Sequence, residues 1–489
     1  MLSQAKSSSM ISHKSASIEQ HDPSVMEGVF QLQKAAFNDR PFASYQARMK
    51  NLKTLYRVID EHSQELKDAL NLDFGCRSSQ ESELAEIIGS LSSIRYLMKN
   101  LKRFMKPKKR ATSIWFLPAK NQVILQPLGV IGVMAPWNYS LHLTIAPMAA
   151  ALAAGNTVMA KMSELTPETC ATLKRLLHNE FDQDTLAIFG GEVAAAQQFS
   201  NLPFNHLLFT GSTAVGKKIA LAAANNLTPV TLELSGKSPV VIGKDYDISE
   251  AAKRIMWGKT FNAGQTCVAP DYVLLPKEKL LEFVRAAREA VTQYYPNGIG
   301  SGDYTSVINH HHYLRLNELL EDAQQQGVEV LPLLEAKNTE HKIPPTLILQ
   351  PHADCKIYHD ELFGPLLPIF TYDNLDDAIE QIKPHSDPLA LYVFSQQQDE
   401  REYITQRVAA GSVAINDTLL QYIQNDLPFG GVGNSGLGKY HGIEGFQTFS
   451  NSQAMFIQRG IGHFTSIKLL YPPYTGFSQF MMKLLRLLP

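Results

Sequence analysis

The chain has 489 residues, 45 Lys and Arg against 47 Asp and Glu, and 44% hydrophobic residues. Single cores stop growing at roughly 250–300 residues, so at least two domains are expected. The balanced charge argues against a nucleic-acid or anionic-membrane binder, which needs a broad basic excess, and the 19% charged residues argue against a chain disordered throughout. Residues 1–23 are polar and Ser-rich, lack the apolar run of a signal peptide, and read as a mobile tail on a cytoplasmic chain. From 24 to 106 the pattern is helical; SYQARMKNLKTLYRVIDEHSQELKDALNLDFG stops near Gly75. LKRFMKPKKR (101–110) reads as a solvated helix end and linker. From 123, short apolar runs alternate with helices. VILQPLGVIGVMAP reads as one buried strand, LTIAPMAAALAAG as a helix stopped by Gly155, and TVMAK as a strand. Thr166 and Pro167 read as the cap and first residue of the next helix. LAIFGG, HLLFTGS and PVTLELSG follow as strands. This alternation predicts an α/β fold with a parallel sheet, which binds ligands at the carboxyl ends of its strands.

A second alternating block from about 238 to 425 predicts a second α/β domain; within it DISEAAKRIMWGKTFNAG reads as a helix. Residues 426–446 are glycine-dense and read as loop. The remainder holds a strand in FQTFSNSQAMFIQ, a Pro-Pro turn and a short tail. That tail has apolar residues at 477, 480, 481, 484, 485 and 488 on one helical face. It is shorter than the ~20 residues of a membrane span, so it packs on the protein or touches a membrane surface.

Cysteines at 76, 170, 267 and 355 form no C-x-x-C, so neither a zinc ribbon nor a disulfide scaffold is supported, and no metal is expected. Gly431-x-Gly433-x-x-Gly436 matches a dinucleotide fingerprint in letters only, because no strand precedes it and no helix follows. Gly211-x4-Gly216-Lys217 matches a P-loop until Lys218, which stands where a magnesium ligand is required. Its strand-to-helix setting still suits a phosphate, at Gly211, Ser212 and the free N–H groups of the helix start. Cys267, at a turn among small polar residues, is either a nucleophile or an inert small hydrophobe. Glu233 lies inside an apolar strand, where burial raises a carboxyl pKa toward that of a general base; the alternative is a structural pair with Lys237.

PWN (136–138), KMSE (161–164), FTGSTAVG (209–216), LELSGKSP (232–239), GQTC (264–267), ELFGP (361–365) and PFGGVGNSGLG (428–438) stand in the order found in the aldehyde dehydrogenase superfamily. The resemblance spans roughly residues 24–475. CVAPDY, GKYHG and YPPY resemble the class 3 branch and, within it, the bacterial coniferyl aldehyde dehydrogenases.

The resemblance implies NAD(P)-dependent oxidation of an aldehyde, aromatic (coniferyl-type) or medium to long aliphatic, to its acid. It makes Cys267 the nucleophile, Glu233 the base that activates water, and Asn138 an oxyanion donor together with the Cys267 N–H. Trp137, Lys161, Glu164, Gly211, Ser212, Gly216, Glu361 and Phe363 are implied to hold the cofactor. NAD is expected over NADP, because Glu164 repels a 2′-phosphate. A CoA-acylating relative would lack the glutamate at 233. The implied fold has a doubly wound NAD-binding domain (24–106 and 127–233) and an α/β catalytic domain (234–425). An arm (107–126 and 447–460) adds a strand to the partner of a homodimer, the Gly-rich loop covers 426–446, and 461–489 form the C-terminal segment. His441 reads as a structural surface or loop histidine, and His310–His312 as a solvated helix start.

Overall fold

The computed structural model describes residues 23–335, 341–385, 387–459 and 471–486. The tail expected over 1–23 lies outside the described residues except for Pro23, which opens the first helix, Pro23–Asp39. Among the described residues no helix is long and apolar enough to cross a membrane.

The architecture is α/β, with three sheets among the described residues. In the first, the chain enters at the central strand Val130–Met134 and winds outward through Thr157–Lys161 and Leu186–Phe189. It then returns to the other side as His206–Thr210 and Val230–Glu233, all parallel. This is doubly wound order, and its switch point lies between Val130–Met134 and His206–Thr210. These strands are apolar because helices cover both faces. The second sheet has seven strands, ordered Glu329–Pro332, Thr346–Leu349, Leu366–Tyr372, Tyr272–Pro276, Pro239–Ile242, Ala390–Phe394 and Ser412–Ile415. Only its first strand runs antiparallel. The third is a small antiparallel sheet of Lys108–Arg110, Lys120–Pro127 and Ser450–Ile457.

Several local expectations change. VILQPLGVIGVMAP is two strands in different sheets, broken at Leu128-Gly129. Gly129 has φ 141°, and a Cβ there would lie 2.1 Å from Asn205 Oδ1. Asn156 Oδ1 accepts the N–H groups of both break residues, at 2.7 and 3.0 Å. The Thr166 side chain makes no capping bond. Asp73, at the end of the helix Ser63–Phe74, instead caps the helix Pro167–His178, accepting from the N–H of Glu168 and of Thr169 at 2.9 Å each. The strand expected from Phe446 starts only at Ser450, after a short helix Gly442–Thr448.

The glycine-dense segment is not a free loop. Phe429 and Tyr440 bridge across it, and Gly436–Leu437 pairs antiparallel with the edge strand, Gly436 opposite Glu233. A Cβ on Gly431 would meet Ser435 O at 2.0 Å, so this turn requires the missing side chain.

Candidate active site

The carboxyl ends of three neighbouring strands of the first sheet deliver the site. Val130–Met134 leads into Pro136-Trp137-Asn138, His206–Thr210 into Gly211-Ser212, and Val230–Glu233 ends on the glutamate itself. Cys267 comes from the loop before Tyr272–Pro276, and Glu361 and Phe363 from the loop before Leu366–Tyr372. All of these line one cleft of about 250 Å³.

Cys267 Sγ lies 3.5 Å from Glu233 Oε1, although 34 residues separate them. Glu233 Oε2 accepts from Tyr440 OH at 3.0 Å and Thr210 Oγ1 at 3.2 Å, so both carboxyl oxygens are fixed. Burial pushes the Glu233 carboxyl up. Burial, and then Glu233 itself, push the Cys267 thiol well above the ordinary range. Burial thus disfavours the charged form of both groups, and the thiol donates to Glu233 Oε1. Lys237 is not its partner: Nζ donates to Asp271 at 2.8 Å and to the Asp360 carbonyl at 2.6 Å.

The helix Ile248–Thr260 stops short of the expected Gly264. Asn262, Ala263 and Gly264 follow with φ of 52°, 49° and 73°, a left-handed run that asparagine and glycine tolerate and that is unfavourable for Ala263. It turns the chain so that Cys267 faces the cleft. Asn138 is 2% exposed, and its Nδ2 donates to the Gln265 carbonyl at 3.1 Å. Gln265 is tied in turn to the carbonyls of Asn262 and Ser306 at 3.0 Å each, and Thr266 Oγ1 lies 2.5 Å from Tyr139 OH. Amide, thiol and carboxyl are thus held relative to one another by buried hydrogen bonds.

Of the residues expected to hold the cofactor, Trp137, Gly211, Ser212, Glu361 and Phe363 line the cleft. Ser212 caps the helix Thr213–Ala224, accepting from Val215 N–H, so this helix presents its N-terminus at the cleft. Gly216 does not line the cleft; it lets that helix approach Leu234, whose Cδ2 would lie 2.4 Å from a Cβ. Lys161 ends the strand Thr157–Lys161, its Nζ 2.6 Å from the Gly191 carbonyl and 3.7 Å from half-exposed Glu164. Burial, and then Asp271, push the Glu361 carboxyl up to about 7, against hydrogen bonds from Ser235 and the Gly236 N–H.

Sequence reasoning missed four neighbours. Thr210 and Tyr440 hold Glu233. His312 packs on Trp137 with ring centroids 5.0 Å apart, and Arg315 donates to the carbonyls of Glu361 and Leu362. His312 is therefore not a solvated helix start: only His310 and His311 of that triplet are exposed. Burial, and then Arg315, lower its pKa to about 4. The one signal was spacing, since 312 and 315 share a helix face. His441 is likewise no surface residue. It is buried among the rings of Tyr422, Phe429 and Tyr440, and its pKa is lowered to about 3.

The model of the aldehyde dehydrogenase family matches residues 8–455. A probable coniferyl aldehyde dehydrogenase of Pseudomonas aeruginosa is 45% identical over 455 residues, 93% of this chain and 95% of that protein. The 4,4′-diaponeurosporen-aldehyde dehydrogenase of Staphylococcus aureus is 37% identical, over 92% and 97%. A Staphylococcus aureus AldH solved in a substrate-bound state superposes with a TM-score of 0.89 at 36% identity, over 94% and 99%.

Proposed function

The chain belongs to the aldehyde dehydrogenase family, and from that premise we propose that Cys267 is its nucleophile, Glu233 its base and Asn138 an oxyanion donor. The reaction is the NAD(P)-dependent oxidation of an aldehyde. The observation that carries the assignment is the 3.5 Å contact between Cys267 Sγ and Glu233 Oε1 in the cleft.

Glu233 Oε1 takes the thiol proton, and the thiolate adds to the aldehyde carbon. The Asn138 amide and the Cys267 N–H stabilise the oxyanion of the thiohemiacetal. Bound NAD(P)⁺ supplies the hydride acceptor. Loss of hydride leaves a thioester on Cys267. Once Glu233 has released the thiol proton to solvent, its carboxylate removes a proton from water as the water oxygen adds to the acyl carbon, and the acid departs as the C–S bond breaks.

The cofactor cradle is proposed at the helix start after Ser212, whose free N–H groups suit a pyrophosphate. Glu361 would accept from a ribose hydroxyl, and Trp137 and Phe363 would help to hold the cofactor in the cleft. Lys161 and Glu164 take the adenosine ribose, where the carboxylate of Glu164 disfavours a 2′-phosphate and so favours NAD. The substrate is proposed to be a coniferyl-type aromatic aldehyde, supported by the Pseudomonas aeruginosa relative. A long apolar aldehyde is the second reading, supported by the Staphylococcus aureus relative. The protein is proposed to act in the cytoplasm as a homodimer joined through its three-stranded sheet.

Cys267→Ala abolishes dehydrogenase turnover and any esterase side reaction, while Cys76→Ala, Cys170→Ala and Cys355→Ala retain both. NADH formation and ester hydrolysis by the four variants decide it. Turnover surviving in Cys267→Ala overturns the assignment. Initial rates with coniferyl aldehyde, short aliphatic and long aliphatic aldehydes rank the substrates.

A further inference from the structure

The nucleophile loop is held from a distant part of the chain. The Asn262 N–H, the first of the left-handed run, donates to Glu81 Oε2 at 3.1 Å across 181 residues. The same oxygen accepts from Thr305 Oγ1 at 2.7 Å. Thr305 Oγ1 also accepts the Ser78 N–H at 3.2 Å, and the Ser306 N–H donates to the Cys76 carbonyl at 2.8 Å. The segment 76–81 is thereby zipped to 305–306. Ser306 holds Gln265 through its carbonyl at 3.0 Å.

Asn262 carries that hold into the active site. Its Nδ2 donates to the carbonyls of Asn138 at 3.2 Å and Gln265 at 3.1 Å, and its own carbonyl accepts Gln265 Nε2 at 3.0 Å. Ala263 occupies a backbone region that an alanine holds only when its surroundings impose it, and Asn262, a type that tolerates the region better, enters it first. Glu81 supplies such an imposition, through a carboxylate that fixes the Asn262 peptide and frees its side chain to tie Asn138 to the Cys267 segment.

We propose that Glu81 is a positioning residue for the nucleophile: by holding the Asn262 N–H it sets the left-handed turn that aims Cys267 Sγ at Glu233 and keeps Asn138 beside it. This rests on Cys267 being the nucleophile. Glu81 touches neither that thiol nor the cofactor residues named above, so it acts on the chemical step and not on cofactor binding.

Two variants separate reach from the acid group. Glu81→Asp keeps the carboxyl but falls one methylene short of the Asn262 N–H; Glu81→Gln keeps both reach and an acceptor oxygen. Glu81→Asp is expected to lower kcat about 10²-fold, as a nucleophile displaced by ~1 Å would. Alkylation of Cys267 by iodoacetamide, followed by peptide mass spectrometry, slows with it, while the KM for NAD stays unchanged. Glu81→Gln loses at most about fivefold in kcat, the cost of exchanging a carboxyl for an amide acceptor. Native kcat and alkylation in Glu81→Asp overturn the proposal. So does a loss confined to the KM for NAD, or Glu81→Asp outperforming Glu81→Gln. If the shortened variant does not fold, Glu81→Gln decides alone: near-native turnover and alkylation uphold the proposal, and a hundredfold loss overturns it. Cys267→Ala, run alongside, reports on the nucleophile itself: turnover in that variant would defeat the assignment of Cys267 without bearing on the Glu81 contacts.

Discussion

Cys267 and Glu233 meet in surroundings that push both acids upward, so the proton starts on sulfur and has one prepared destination. Glu233→Gln keeps the shape and removes the base. Steady-state turnover falls ~10²–10⁴-fold, the usual worth of a positioned base. Because hydride leaves before the thioester is hydrolysed, stopped-flow traces show up to one NADH per site, followed by a stall with the acyl group on Cys267. A lost burst that returns at high pH assigns Glu233 to thiol activation instead. Glu361 gives a second titration. Its carboxyl, raised to about 7, is protonated below that pH and ionised above it. An ionised oxygen is the better acceptor for a ribose hydroxyl, so the KM for NAD falls as pH rises from 6 to 8. Glu361→Gln flattens that profile, and a native profile in the variant would remove Glu361 from the cofactor cradle.

At the level of elements, helices and buried strands were legible because apolar periods of 3.6 and unbroken apolar runs report burial directly. What escaped was whatever depends on a partner far along the chain. Thr166 looks like a cap by its letters, yet the capping oxygens belong to Asp73. Asp73→Ala leaves two helix N–H groups and the Thr169 hydroxyl without that acceptor and costs about 1–3 kcal/mol. Thermal unfolding measures it, and Thr166→Ala is expected to change the midpoint far less. Likewise the residue type of Glu233 was readable, but not its supports, because Thr210 and Tyr440 reach it through strand pairing and a bridge. The apolar run around Gly129 hid a break that two distant residues explain, Asn156 accepting its N–H groups and Asn205 pressing on Gly129.

Across the whole molecule, the helix Gly476–Leu485 leaves Phe477 and Phe480 55% and 59% exposed. Ending the chain after Gly476 removes that apolar face. If it lies at the substrate's approach, the KM for long apolar aldehydes shifts more than that for small ones, with kcat unchanged. Equal shifts across the panel dismiss the helix from substrate handling, and binding of the full chain to anionic vesicles, lost on truncation, places it at a membrane surface. The pairing of Gly436 with Glu233 has a further reach, in the order in which the protein is made. The ribosome delivers Glu233 and Cys267 long before the segment that closes the sheet edge over them and supplies the Tyr440 hydroxyl. On the proposed assignment a nascent chain carries the nucleophile with an unfinished base beside it. The pair is complete only once residues 436–440 have been made, and fragments released earlier by a stalled ribosome carry a cysteine but no working centre.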